Sequence, residues 1–364
     1  MAEKYTSNIR LAQFKPLLEN QKKRNLLSIT LEITARCNNN CKHCYLNLPE
    51  NDDKAIKIEM SYHEITRIID EAISLGALWC TFTGGEPLLR DDFSDLYLYA
   101  KENGLLTSVL TNATLITDEH VDLFKKYPPR NLEISVYGVS KKTYEHISGI
   151  KGSFKNFEYG IIQLIENKIP ISLKAPALKS NYEEYKAIID FCKKHSREGY
   201  VRFDPLLFLR TDNDKARNRL ISTQRLSPEK LKNLKKLYFA SDTGFDPLGK
   251  ECAQNQPVTN KKDHFTCNAG NISCKIGYDA YVSPCALCYH PECRYNLRKG
   301  SLTDAWNSFI PKVIEKYLQN VKYPEKCYDC DKIGNCLWCP ALAYLEHGRT
   351  NKEPDYICSL IKHF

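Results

Sequence analysis

Hydrophobic and polar positions in the first 245 residues alternate between the period of a strand and the period of a helix. Ile29, Leu31 and Ile33 occupy every second position, which is typical of a strand. Ser61 and Glu64 form a capping-box sequence before a stretch whose apolar residues recur at helical spacing. We therefore predict strands at 27–34, 78–83, 105–110, 131–136, 169–175 and 200–205, and helices at 61–75, 92–103, 117–126, 155–167 and 182–195.

This alternation predicts an α/β fold in which the strands form a parallel sheet with right-handed crossovers. Six such units would make an open or partial (βα)6 barrel. Sheets of this kind bind their ligands at the carboxyl ends of the strands, so motifs that follow strands are the candidates for function.

Composition agrees with a globular protein and excludes disorder, collagen-like repeats and coiled coil. The chain has 364 residues, of which 42% are hydrophobic and 26% are charged. It has no signal-peptide pattern and no apolar run of about 18 residues, so we expect a cytoplasmic protein without a membrane segment. Thiols stay reduced there, and the 16 cysteines therefore point to metal ligation rather than to disulfides.

The cysteines are unevenly distributed along the chain. Five precede residue 250, and the other eleven lie between Cys252 and Cys358. The step falls in a Gly-, Pro- and Asn-containing stretch without periodicity, which is typical of a linker. We predict an N-terminal extension at 1–25, a barrel at 26–245 and a small cysteine-rich domain at 246–364.

The first predicted strand leads into a compact cysteine motif. Cys37, Cys41 and Cys44 stand at i, i+4 and i+7, a spacing at which three thiolates can converge on one metal centre. A structural zinc site normally needs four ligands, and the alternatives are a zinc loop that includes His43 or three unrelated cysteines. On a 4Fe–4S cluster, three thiolates leave one iron free to bind a small molecule.

The second predicted strand ends in Thr-Gly-Gly-Glu-Pro at 83–87. The two glycines allow a ligand to approach the backbone closely. Glu86 adds a carboxylate that suits an ammonium group. A turn before a helix is the alternative explanation, but the motif falls at the sheet edge where the cysteine loop is expected.

Together these two motifs resemble the radical S-adenosylmethionine (SAM) superfamily. The resemblance implies a 4Fe–4S cluster whose open iron chelates SAM, and reductive cleavage to a 5′-deoxyadenosyl radical that abstracts hydrogen from a substrate. Ser148 stands where relatives often carry an Arg, which leaves Lys174 as a candidate partner for the SAM carboxylate. The implied ligands are Cys37, Cys41 and Cys44, and the implied SAM contacts are Tyr45, Gly84, Gly85, Glu86, Asn112 and Ser135.

The C-terminal cysteines resemble the SPASM extension of peptide-modifying radical SAM enzymes, which holds two auxiliary 4Fe–4S clusters. Ala280 replaces a usual Gly, and the Cys336–Cys339 spacing is one residue short. The alternative is a zinc knuckle. By resemblance, Cys267, Cys274, Cys285 and Cys339 hold the first auxiliary cluster, and Cys327, Cys330, Cys336 and Cys358 hold the second.

Five cysteines remain outside these assignments. Cys80, Cys192 and Cys252 are predicted to be small buried hydrophobic residues. Cys288 and Cys293 could each displace an assigned ligand of the first auxiliary cluster, or act as a reactive thiol beside it.

The resemblance implies three 4Fe–4S clusters and SAM as cofactors, and a peptide or protein substrate. The product would carry a thioether, a carbon–carbon crosslink, an epimerised residue or an oxidised residue. Sulfatase-type maturation ranks lower because Ala286 replaces an expected Asp. An enzyme acting on a sugar or a cofactor precursor, and a multi-cluster electron carrier, are further alternatives.

The implied partners are an electron donor such as flavodoxin or ferredoxin and a separate peptide-recognition protein. The formal charge of +8 would also suit nucleic acid, but no aromatic and basic residues alternate as in a single-strand platform. Cluster charges of about −2, −2 and −1 would reduce the net charge to roughly +3, which removes that argument.

Overall fold

The computed structural model describes residues 24–199, 201–239, 264–333 and 336–363. The predicted extension at 1–25 and the predicted boundary at 245 fall largely or wholly outside these ranges, as does Cys252. Within the described ranges, every helix is too short or too polar to cross a membrane.

Six parallel strands in chain order form the centre of the molecule, each followed by at least one helix. Their order in the sheet equals their order in the chain, as the alternating sequence pattern predicts. The sheet strands are β1 (Ser28–Thr34), β4 (Trp79–Gly84), β5 (Leu106–Thr111), β6 (Asn131–Ser135), β7 (Ile171–Pro176) and β8 (Val201–Asp204), while β2 (Arg36–Cys37) and β3 (Leu48–Pro49) form a separate parallel pair.

Helices cover one face of this sheet and connect successive strands. The predicted capping box is present, because Ser61 and Glu64 exchange hydrogen bonds at the start of the second helix. The helices of this half are α1 (Asp53–Ile58), α2 (Tyr62–Ser74), α3 (Phe93–Glu102), α4 (Asp118–Lys126), α5 (Lys141–Ser148), α6 (Ser153–Glu166), α7 (Tyr185–His195), α8 (Lys215–Gln224) and α9 (Pro228–Phe239).

The main hydrophobic core lies between the sheet and these helices. Ile29, Leu31 and Ile33 are completely buried there, which confirms the face predicted from their spacing. Cys80 and Cys192 are also completely buried, as predicted for cysteines that serve as small apolar residues.

The C-terminal part extends the central sheet on its other side. Strand β10 (Ser273–Ile276) pairs in parallel with β1, and β11 (Tyr281–Ser283) and β12 (Tyr295–Asn296) continue it antiparallel. A helical run with two π-helical stretches follows. The remaining elements are β9 (His264–Thr266), which pairs with β13 (Gln319–Lys322), the helical pieces α10 (Leu302–Asp304), Ala305–Phe309, α11 (Ile310–Val313) and Ile314–Leu318, and the helices α12 (Glu325–Tyr328), α13 (Pro340–His347) and α14 (Asp355–His363).

All six predicted barrel strands and all five predicted helices are present, with ends shifted by up to three residues. The structure adds α1, α5, α8 and α9, which were not among the predicted helices. The α/β class and the partial barrel predicted from the alternation are therefore confirmed.

Candidate metal and cofactor site

The cysteine loop leaves the carboxyl end of β1 and crosses the mouth of the barrel. Cys37 ends β2 and is buried, Cys41 is buried, and Cys44 is half-buried. The backbone N–H of Asn40 donates to the carbonyl of Ser148 at 2.7 Å, which ties the loop to the end of α5. The three predicted ligands therefore lie on one anchored loop.

Hydrogen-bond donors point at the sulfurs of this loop. The N–H of Asn39 lies 3.4 Å from Cys37 Sγ, and the N–H of Asn47 lies 3.3 Å from Cys44 Sγ. The side-chain amide of Asn112 approaches Cys37 Sγ at 3.8 Å. Donors of this kind stabilise negative charge on sulfur, which suits thiolates bound to a metal.

Burial works against these thiolates in the absence of a metal. It raises the pKa of Cys41 to about 12, and the charge of Cys44 adds to the effect. The pKa of Cys37 is also raised, first by burial and then by the charge of Glu86. A group that supplies positive charge at the sulfurs would offset both causes. The donor set, three mutually interacting thiols on one loop that has no fourth cysteine, therefore fits a 4Fe–4S cluster with an open iron.

Gly84, the last residue of β4, and Gly85 lie against the backbone at the end of β1 and directly after it. A Cβ on Gly85 would overlap the carbonyl oxygens of Arg36 and Ala35, and Gly84 has φ +143°. Gly85 N–H donates to Thr34 O at 2.8 Å. Close packing of the two strand ends thus explains why glycine is needed at both positions. The sequence had predicted a second reason, the close approach of a ligand to the backbone.

Glu86 is completely buried beside the cysteine loop. Its carboxylate accepts hydrogen bonds from Thr111 Oγ1 at 2.6 Å, from the N–H of Asn112 at 2.7 Å and from the N–H of Leu88 at 3.2 Å. Burial nevertheless raises the pKa of Glu86 to about 7. A carboxylate desolvated in this way gains when a cationic group pairs with it.

The remaining predicted SAM contacts lie at strand ends around the same loop. Asn112 follows β5 and also donates to Asn38 Oδ1 at 3.0 Å, so its amide already contacts the cysteine loop. Ser135 is the last residue of β6 and is half-buried. Tyr45 follows the third cysteine, and burial raises the pKa of its phenol well above the usual value.

Two further candidates from the sequence are placed nearby. His43 lies edge-on to Tyr137 with ring centroids 5.2 Å apart, and burial lowers its pKa to about 4. Lys174 forms an ion pair with Asp204 at 2.6 Å. The charge of Lys174 is therefore already partnered within the protein.

Two arginines that the sequence reasoning missed hold the cysteine loop from the segment after β8. Arg210 is buried and donates to the carbonyl of Asn47 at 3.0 Å. Arg217 donates to the side-chain oxygens of Asn40 and Asn47, both at 2.6 Å. The positive charge of Arg217 lowers the pKa of Cys41 and so partly opposes the effect of burial. Arg210 interacts electrostatically with Cys44. Isolated arginines after a strand have no distinctive spacing, so only the fold reveals this role.

A cavity of about 320 Å³ adjoins the cysteine loop. Tyr45 lines it from the barrel, and Tyr278, Tyr289 and Arg294 line it from the C-terminal segment. Beside it, Glu32 of β1 and Lys275 of β10 form an almost fully buried ion pair of 2.5 Å, and Lys275 Nζ donates to Tyr289 Oη at 3.3 Å. The cavity is thus aromatic and charged, and both halves of the chain build it.

The four cysteines predicted for the second auxiliary cluster line a single cavity of about 200 Å³. Burial raises the pKa of Cys327 to about 11, and the charges of the other three add to the effect. The backbone N–H of Trp338 donates to Cys336 Sγ at 3.3 Å. These cysteines are Cys327, Cys330, Cys336 and Cys358.

The cysteines predicted for the first auxiliary cluster are brought together only in part. Burial raises the pKa of Cys339 to about 12, and the charges of Cys285 and Cys267 raise it further, so these three are neighbours. Cys274 lies instead in the middle of β10, on the face that packs into the hydrophobic core. Backbone N–H groups donate to Cys267 Sγ at 3.3 Å and to Cys339 Sγ at 3.4 Å.

Comparisons with known proteins support the prediction that the cysteine loop belongs to a radical SAM domain. The Radical SAM superfamily matches residues 31–192. An AdoMet-dependent heme synthase of Methanosarcina barkeri is 26% identical over 340 residues, covering 90% of this chain and 95% of that protein. A PqqA peptide cyclase of Granulibacter bethesdensis is 22% identical over 338 residues, covering 87% of this chain and 83% of that protein.

The fold is that of solved radical SAM enzymes. Streptococcus suis SuiB bound to S-adenosylmethionine superimposes with a TM-score of 0.66 at 16% identity, over 97% of this chain and 84% of SuiB. SuiB bound to the precursor peptide SuiA gives a TM-score of 0.65 at 16% identity, over 98% and 83%. Residues 31–192 match the Radical SAM superfamily. These similarities make the chain an enzyme that uses S-adenosylmethionine, and the family match implies a 4Fe–4S cluster.

Proposed function

We propose that this enzyme carries a SPASM-type C-terminal domain with two auxiliary 4Fe–4S clusters and modifies a peptide or protein side chain. The observation that carries the proposal is the 320 Å³ cavity, which joins Tyr45 of the cysteine loop to the segment around Cys285. A substrate held there would lie between the proposed catalytic cluster and the proposed first auxiliary cluster.

In this reaction the protein would hold the cluster and SAM, and it would exclude water from the radical. Cys37, Cys41 and Cys44 would bind the catalytic cluster, and Glu86 would accept a hydrogen bond from the amino group of SAM. A reduced cluster held there would supply the electron for cleavage of SAM into methionine and a 5′-deoxyadenosyl radical, which would take a hydrogen atom from the substrate. Flavodoxin or ferredoxin would supply that electron, and burial of the loop would keep water from the radical.

The size and lining of the cavity favour a single side chain. Its volume of about 320 Å³ is at the low end of the range for ligand pockets. Tyr278 and Tyr289 offer aromatic surface, while Arg294 is paired with Asp279 at 2.5 Å. A PqqA peptide cyclase and the SuiB–SuiA complex are precedents for peptide substrates among the similar proteins.

An iron-tetrapyrrole substrate is the second candidate. The heme synthase similarity spans nearly the whole of both chains and so favours it. Arg210 and Arg294 line the cavity and could pair with the carboxylates of such a ring. Both arginines already face aspartates in this structure, which is why we rank this substrate second.

Iron content and 5′-deoxyadenosine release test the proposal. Anaerobic reconstitution should give about twelve irons per chain, and a content near four together with bound zinc would contradict the auxiliary clusters. Peptides encoded near the gene and iron-coproporphyrin should then be compared as additions. Acceleration of 5′-deoxyadenosine release by a peptide alone supports the proposal, and acceleration by the porphyrin alone replaces it with the second candidate.

A further inference from the structure

The position of Cys274 in the sheet conflicts with a role as an iron ligand. In the parallel pairing of β10 with β1, Cys274 is the register partner of Ile29, so the two side chains share a face. Ile29 is completely buried in the core between sheet and helices, and Cys274 is 3% exposed. Cys288 is as deeply buried, so the neighbours distinguish the two: the charges of Cys285 and Cys339 act on Cys288, whereas Arg24 is the charged group that acts on Cys274. Lys275, the next residue, points to the opposite face and reaches Glu32.

Cys288 has the geometry that Cys274 lacks. It follows Cys285 in a Cys-x-x-Cys turn, closed by a hydrogen bond of 3.2 Å from its N–H to the Cys285 carbonyl. Turns of this kind bring two sulfurs onto one metal centre. Cys288 also lines a small cavity together with Pro340 and Ala341, the residues directly after Cys339. It therefore lies between two of the predicted ligands.

We propose that Cys288, rather than Cys274, is the fourth thiolate of the first auxiliary cluster, with Cys267, Cys285 and Cys339. This inference rests on the proposed SPASM-type clusters. The thiol of Cys288 loses its proton to solvent when it binds iron, as cysteine ligands do. The side chain of Cys293 lies within hydrogen-bonding reach of Cys288.

The experiment uses the full chain with Cys37, Cys41 and Cys44 changed to Ala, so that only auxiliary clusters remain. This parent should bind about eight irons after anaerobic reconstitution. Adding Cys274→Val should leave the iron content and the EPR spectrum of the reduced protein unchanged. Adding Cys288→Ala should lower the content to about four, or leave a three-iron cluster with its own EPR signal.

Cys293→Ala is the matched control, because Cys293 is as deeply buried as Cys288 and contacts the thiol of Cys288. It should keep about eight irons. Cys288→Ser preserves the side-chain volume and should still change the EPR spectrum, because an oxygen would replace a sulfur on iron. Iron loss in Cys274→Val, an unchanged Cys288→Ser spectrum, or equal losses in the Cys288 and Cys293 variants would overturn the assignment. A parent content near zero would instead contradict the proposed auxiliary clusters themselves.

Discussion

At the residue scale, Glu86 shows how the fold prepares a charge for a ligand. Its carboxylate is completely buried, and three protein donors hold it without lowering its pKa to the usual value. A neighbouring donor with positive polarity would favour the ionised form, and the amino group of SAM bound to the open iron would be such a donor. The short sequence around Glu86 indicated a carboxylate at a strand end, but its desolvation comes from the surrounding strands.

We predict that Glu86 sets a pH dependence for SAM binding. The pKa of Glu86 is raised to about 7, so the carboxyl is mostly neutral below that pH and ionised above it. Affinity of the reconstituted enzyme should therefore increase as the pH rises through about 7. Glu86→Gln should weaken binding about tenfold or more and flatten this profile, as measured by equilibrium dialysis.

The matched control for Glu86 is Glu133→Gln. Glu133 is also a nearly buried carboxylate, but it pairs with Arg202 at 2.9 Å on the sheet. This variant should keep the affinity and the pH profile of the unmodified enzyme. If Glu86→Gln kept the SAM affinity and pH profile as Glu133→Gln should, the amino group of SAM would have another partner.

At the element scale, the pattern of apolar positions was sufficient for the strands and helices of the barrel. Each of these elements packs one face into the core, so its period appears directly in the sequence. The period of apolar residues does not show which strand pairs with a strand from a distant part of the chain. The pairing of β10 with β1 is such a case. The sequence likewise did not show that Cys274, a ligand by resemblance, pairs with Ile29 of β1, and the proposal that Cys288 takes its place rests on that pairing.

The junction of β4 with the cysteine loop depends on Gly85. A Cβ there would overlap the backbone of Ala35 and Arg36, neither of which is the end of a flexible side chain. Gly85→Ala should cost about 3 kcal/mol of unfolding free energy in the apoprotein and lower cluster occupancy. Gly104→Ala is the control, because a Cβ there meets nothing within 4 Å and only the φ of +87° is strained. Equal denaturant midpoints for the two variants would contradict this account of the junction.

At the scale of the whole molecule, the C-terminal segment shares the central sheet with the barrel strands. Strand β10 extends the parallel sheet, and Arg298 reaches Glu64 at 2.6 Å on the opposite half of the chain. The buried pair of Glu32 and Lys275 joins the same two halves at the cavity. The compositional step near residue 250 predicted two domains, but composition carries no information about a shared sheet.

The Glu32–Lys275 pair should therefore be important for the joint stability of the two halves. Lys275→Met leaves a buried carboxylate without its partner and should cost about 3 to 5 kcal/mol in denaturant unfolding of the apoprotein. Combining it with Glu32→Leu removes the unpaired charge and should restore most of that loss. A double variant as unstable as Lys275→Met alone would show that the ion pair is not the cause.

Anaerobic SAM cleavage by the reconstituted enzyme with a strong chemical reductant tests most directly whether Cys37, Cys41 and Cys44 bind the catalytic cluster. The unmodified chain should release methionine and 5′-deoxyadenosine in equal amounts, and the variant with Cys37, Cys41 and Cys44 changed to Ala should release neither. Cys192→Ala, a buried cysteine in the core, should cleave SAM normally. Cleavage retained by the triple variant would contradict the assignment of this loop as the catalytic cluster site.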